Sequence, residues 1–309
     1  MIQEIAYAGW KRNLRLQGTA TELVITLDVG PRIIRYALHD GKNVFVELPK
    51  QLGQSGEKEW MIRGGHRFWT APEADHSYEL DNSPVTWNKL GDRAVEITQP
   101  ESKAFGFQKT LVVEMLEGEV VRVTHRLHNL GGKALDITPW ALSVMAPGGF
   151  AVIPQPRLDL HPSEFPEGRD VKPHEYLPNR EFVLWPFTNL ADGRYTFSQH
   201  FLRVAHAAGK PATKLGLKLA PCWIAYQNGG DVFAKHVSHI AKQPYPDCGV
   251  NFEVFTNNDI LELETLAPAV PLLPGACAVH VEHWALGKAP GDLRDEETAR
   301  QFFHTLPKV

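Results

Sequence analysis

Glu119-Val120-Val121-Arg122-Val123-Thr124-His125-Arg126-Leu127-His128 alternates more cleanly than any other stretch of the chain. Successive side chains on an extended strand leave opposite faces. Val121, Val123, His125 and Leu127 therefore share one face, and Arg122, Thr124, Arg126 and His128 the other. Such a strand lays one face on a core and turns the other to water. His125, on the apolar face, reads as a hydrogen-bonded core histidine. Asn129-Leu130-Gly131-Gly132 turns the chain, and 134–144 reads as the next strand.

Outward from there the pattern repeats. Upstream, 23–28, 33–38, 44–48, 85–89, 94–99 and 105–114 read as strands. Downstream, so do 182–185, 215–219, 222–227, 232–237, 250–255, 260–266 and 277–286. Over about 146–180 prolines and glycines are dense and apolar periodicity is lost. Strands resume afterwards, so this is a loop-rich excursion within one domain rather than a linker. Over about 293–304 apolar residues take helical spacing behind an acidic first turn of Asp295, Glu296 and Glu297. Many short strands and one late helix predict an all-β, large antiparallel architecture. No repeat of about 40–50 residues supports a propeller, so one wide sandwich spanning 1–309 is expected.

Bulk properties exclude several classes. The 309 residues carry a net charge of −4, with no basic block for nucleic acid or a membrane surface. The three cysteines form no CxxC pair and no even-numbered disulfide framework. The first residues lack a signal-peptide pattern, and no uncharged apolar run approaches the ~18 residues of a membrane span. The expectation is a cytoplasmic protein, monomeric or homodimeric, with no nucleic-acid or membrane partner and no cofactor.

Candidate chemistry gathers at Ile62-Arg63-Gly64-Gly65-His66-Arg67-Phe68-Trp69-Thr70-Ala71-Pro72-Glu73. Paired glycines permit a sharp bend, and loops that carry charge and aromatics together commonly form binding sites. The alternative is a tight turn whose Arg and Trp close a sandwich edge. His66 is the histidine best suited to proton transfer near neutrality, and Arg63 and Arg67 offer forked donors for hydroxyls, a carboxylate or a phosphate. His66, Glu73, Asp75 and His76 match no tight metal-ligand motif, and none is expected to hold a metal. His236 and His239 would leave opposite faces of a strand.

Later, Asn251-Phe252-Glu253-Val254-Phe255 puts Asn251, Glu253 and Phe255 on one face. If that face lines a cleft, Glu253 sits beside an amide and a ring, the local setting of a sugar site; otherwise it is a solvent-facing strand residue. Glu262 and Glu264 alternate with leucines and read as a polar outer face. Several tryptophans, Trp60, Trp69, Trp140 and Trp185 among them, stand near loops or strand ends, where an indole can meet the C–H face of a sugar.

Three strings carry a resemblance. Gly30-Pro31-Arg32-Ile33-Ile34-Arg35 resembles the early strand of aldose 1-epimerases (galactose mutarotases). Ile62-Arg63-Gly64-Gly65 resembles the R-G-G segment of their hexose-6-phosphate branch. Asn251 to Asn257 resembles the late strand with the catalytic glutamate. The strings around Gly64 to Glu73 and Pro139 to Gly149 resemble an uncharacterised bacterial branch of the galactose mutarotase-like superfamily. The resemblance implies a β-supersandwich with a sugar cleft on one sheet. Glu253 would be the base and His66 the acid in opening and reclosing a sugar ring. Arg63, Arg67, Trp69, Glu73, Arg35, Trp140 and Asn251 would contact the substrate. Trp140 stands where galactose mutarotases carry a histidine. Two alternatives remain open on this scaffold: a non-catalytic sugar-binding or sensing protein, and a polysaccharide lyase or glycoside hydrolase.

Overall fold

The computed structural model describes residues 1–156, 168 and 177–309. With strands numbered in chain order, the first sheet runs in space as β1 (Ile2–Tyr7), β2 (Trp10–Gln17), β3 (Thr21–Thr26), β4 (Arg32–Leu38), β5 (Gly65–Ala71), β10 (Thr138–Met145), β19 (Leu261–Leu266), β18 (Phe252–Thr256), β15 (Thr213–Lys218) and β12 (Glu181–Leu184). The second runs as β13 (Tyr195–Phe197), β14 (Phe201–Ala205), β11 (Phe150–Pro154), β16 (Cys222–Asn228), β17 (Asp231–Val237), β20 (Cys277–Lys288), β9 (Val121–Asn129), β8 (Phe107–Met115), β7 (Ala94–Thr98) and β6 (Thr86–Gly91). The strand pairings are antiparallel. This is the large antiparallel β-sandwich that the alternation predicts.

The period-two pattern explains the core. Phe252 and Val254 of β18, Leu261 and Leu263 of β19 and Leu215 and Leu217 of β15 face the second sheet. Val121, Val123, Leu127 and Trp284 meet them from β9 and β20. Each such buried side chain contributes about 1.5–3 kcal/mol relative to exposure. The C-terminal helix, Glu296–Thr305, starts where Asp295 accepts a hydrogen bond from the Thr298 amide. It lays Ala299 and Phe302 against Phe150, Phe201 and Trp223 on the outer face of the second sheet.

Three local expectations need correction. Residues 65–71 form the buried central strand β5, paired with β4 and β10, where a loop was expected. Gly64 and Gly65 adopt positive φ of 76° and 73°, and a Cβ on either would strike a carbonyl oxygen, of Val46 and Ile33 respectively. The glycines thus seat β5 against its neighbours. Residues 44–48 make only isolated bridges, through Phe45 and Glu47. The excursion over about 146–180 contains the strand β11; most of its remainder, 157–167 and 169–176, lies outside the described residues.

Candidate functional site

A cleft of about 320 Å³ opens on the first sheet, on the face turned away from the second. Alternation places its floor: Arg67 and Trp69 from β5, Trp140 and Leu142 from β10, Glu262 and Glu264 from β19, Phe255 from β18 and Lys214 from β15. Trp60, Tyr78 and Glu73 close one side and Trp185 and Phe187 the other. Its size is at the lower end of small-molecule sites, roughly 300–1,000 Å³. The aromatic wall is continuous, with ring centroids 5.2 Å apart for Trp60–Trp69 and 5.4 Å for Trp69–Trp140. Gly216, two residues from Lys214 on the same face of β15, leaves room for Trp185: a Cβ there would stand 3.1 Å from its ring.

Charge is concentrated in the floor. Arg67 Nη1 lies 2.8 Å from Glu262 Oε1, and the guanidinium lies over the rings of Trp60 and Trp69. Lys214 Nζ lies 2.6 Å from Glu253 Oε2 and 3.1 Å from Glu264 Oε2, and 4.7 Å from the ring centres of both Trp140 and Trp185. Glu253 and Glu264 stand directly opposite one another across β18 and β19. Two carboxylates facing one ammonium repel each other. Burial first, and Glu264 further, push the Glu253 carboxyl well above the usual carboxylate range despite Lys214. Burial likewise raises Glu262 against the opposing pull of Arg67. Several buried polar atoms of the floor have no hydrogen-bond partner: Trp140 Nε1, Arg67 Nε and Glu253 Oε1. Such groups cost about 1–3 kcal/mol each when left dry.

A larger cavity of about 500 Å³ lies among turns, between residues 40–44 and 228–231. No buried side-chain atom of its lining lacks a partner. The smaller cleft is therefore the stronger candidate.

Of the residues singled out from sequence, Arg67, Trp69, Glu73 and Trp140 line the cleft, and Glu253 lies in its floor, reached through Lys214. The others are elsewhere. Arg63 is enclosed by Glu57, Asn82 and the Gln51 and Gln54 carbonyls. Arg35 pairs with Glu22 at 2.8 Å and with the Gly41 carbonyl. Asn251 holds the backbone of Leu219 and Ser238. His66 is the main correction. One position before Arg67 on a strand, it leaves the opposite face and enters the core between the sheets, so it shares no cleft with Glu253. Lys214, Tyr78 and the buried role of Glu262 and Glu264 escaped the sequence reading.

His66 belongs to a dry polar network. With neutral rings, one order of protons satisfies its contacts: the Ser143 hydroxyl donates to His66 Nδ1 (2.9 Å), His66 Nε2–H to His125 Nε2 (2.8 Å), and His125 Nδ1–H to the His280 carbonyl (3.2 Å). His280 Nε2–H donates to Thr265 Oγ1 (2.7 Å), whose hydroxyl donates to Glu282. Lys235 (2.9 Å) and the Trp284 indole N–H (2.8 Å) complete the Glu282 carboxylate. Burial holds His125 down to about 4 and His280 to about 3, and lowers His66 well below its ordinary value. His66, His125 and Glu282 offer ligand atoms within 4.8 Å of one another, a set capable of holding a cation. The 2.8 Å between the two Nε2 atoms is nevertheless a hydrogen bond; tetrahedral zinc at its usual ~2.05 Å would separate them by about 3.3 Å.

The fold is galactose mutarotase-like. Among solved structures, the chain is similar to a galactose mutarotase-like protein from Lactobacillus casei at 11% identity and TM-score 0.56, covering 89% of this chain and 100% of that one. It is also similar to a galactose mutarotase related enzyme from Lactobacillus acidophilus at 10% identity and TM-score 0.55, covering 89% and 97%. A TPR-domain containing protein from Parabacteroides distasonis matches at 14% identity and TM-score 0.61. That match covers 96% of this chain, which spans about half (49%) of the TPR protein. No protein-family model and no curated protein sequence matches the chain.

Proposed function

We propose that the cleft binds a free sugar or sugar derivative in its ring form. The observation that carries this reading is the combination of tryptophan walls with unpartnered buried donors and acceptors in the floor. A sugar presents an apolar C–H face to an indole and hydroxyls to such groups. Titration of the protein with aldoses, followed by tryptophan fluorescence and by ligand-observed NMR, is expected to saturate. Trp140→Ala should weaken binding roughly tenfold. A panel of aldoses with no saturable member would overturn the reading.

Anomer exchange at the same site is favoured by one observation, the carboxyl of Glu253 buried against Lys214, with burial raising it well above the usual carboxylate range. A base so tuned can accept the anomeric hydroxyl proton. The acid would have to come from the cleft, since His66 faces the core. Polarimetry should record accelerated mutarotation that Glu253→Gln abolishes with the circular dichroism unchanged. Acceleration that survives in Glu253→Gln removes that residue from the chemistry.

A further inference from the structure

Among the described residues, the floor of the cleft holds the carboxylates of Glu253, Glu262 and Glu264 and only two cations, Arg67 and Lys214. Arg67 is matched by Glu262, while Lys214 is shared by Glu253 and Glu264. One carboxyl group is left over without a matching cation. Glu73 adds another carboxylate at the mouth, where it accepts from the Tyr78 hydroxyl. Glu264, in a residue 1% exposed, lines the cleft itself. The unpartnered indole N–H of Trp140, 2% exposed, leaves this floor with a donor suited to a sugar hydroxyl. Two further forked donors near this strand are consumed elsewhere, Arg63 by Glu57 and Asn82 and Arg32 by Asp81 and the Ile62 and Gly64 carbonyls. Both cations of the described lining therefore already face a carboxyl, and neither is unmatched for a phosphate or carboxylate.

Resting on the sugar-binding reading above, we propose that the preferred ligand is a cationic sugar, an amino sugar in its ammonium form, and that phosphorylated and carboxylated sugars are excluded. The ammonium would meet the surplus carboxyl of the Glu253–Glu264 pair, which releases its proton to solvent as the cation binds, and the mouth carboxylate of Glu73. The sugar ring would lie against the tryptophan wall. An anion would meet the same carboxyl-rich lining, where both cations are already matched, in a site too dry to screen the charge.

The test compares matched pairs by calorimetry: glucosamine with glucose, galactosamine with galactose, mannosamine with mannose, and each hexose with its 6-phosphate. At least one amino sugar is expected to bind about tenfold tighter than its parent hexose once ammonium desolvation is met. The 6-phosphates should bind more weakly than the parents. Glu264→Gln should lower amino-sugar affinity by more than it lowers that of the parent hexose, erasing most of the preference, because Lys214 retains Glu253. Glu73→Gln, at the exposed mouth and outside the buried ion network, should reduce the preference if the buried variant does not fold. Equal affinity for hexosamine and hexose, or tighter binding of a 6-phosphate, overturns this inference and leaves sugar binding standing. Failure of every sugar to bind overturns both.

Discussion

Replacing His66 with alanine leaves the Ser143 hydroxyl and His125 Nε2 without partners in a dry core. Each orphaned group costs about 1–3 kcal/mol, and the vacated ring adds a cavity. The expected loss is roughly 3–5 kcal/mol, read from urea unfolding, with sugar affinity unchanged within about twofold because the cleft lies on the other face of β5. Lost affinity at unchanged stability would contradict the placement. The sequence marked His66 as a histidine suited to proton transfer, but its address between the sheets was not legible. The face a strand residue takes depends on the strand being recognised, and Gly64-Gly65 made this segment read as a loop. Arg67 and Trp69, read as binding residues from the same string, do face the cleft.

At the level of elements, glycine and hairpin register decide more than propensity. Gly64→Ala would place a methyl group against the Val46 carbonyl from a backbone at φ 76°. A loss of about 2 kcal/mol or more follows, visible as a drop in melting temperature. Gly56→Ala serves as the control, having positive φ but nothing within 4 Å of its added Cβ; a Gly64→Ala variant no less stable than this control would contradict the crowding. The strands around the site were largely readable: 260–266 and 250–255 correspond to β19 and β18, with Asn257, Asn258 and Asp259 turning between them. That hairpin places Glu253 against Glu264. The sequence left Glu262 and Glu264 as an outer polar face because alternation distinguishes two faces without saying which is covered. Loops from elsewhere in the chain, bearing Trp60, Tyr78 and Trp185, do the covering. β1, β2, β11, β13 and β14 went unseen. β1 and β13 are short edge strands, β2 carries Lys11, Arg12 and Arg15, and β11 is a buried apolar run hidden among prolines and glycines.

Across the whole molecule, the two sheets are joined through a polar network that must stay uncharged at its histidines, and this gives folding a pH signature. In the folded state burial lowers His66, His125 and His280, with His125 at about 4 and His280 at about 3. In the unfolded chain each titrates near ~6.5. As pH falls below that value the unfolded state takes up protons that the native state refuses, so stability declines, by about 1.4 kcal/mol per pH unit for each fully titrating histidine. The loss continues down to the folded values. Glu282, lowered by Lys235 against its own burial, adds a loss of the same sign once pH passes through the ordinary carboxylate range. Glu253 and Glu262 act oppositely: their raised folded pKa values make the native state hold protons more tightly, so they favour folding as pH falls into their range. Between about pH 6.5 and 5 unfolded glutamates at ~4.3 remain ionised, so protons held by native Glu253 and Glu262 offset part of the histidine loss. In His125→Asn the slope of unfolding free energy against pH should be smaller by about one proton, whatever the variant's absolute stability. An unchanged slope would mean that His125 is charged in the folded protein, and the single order of protons linking the two sheets would be wrong.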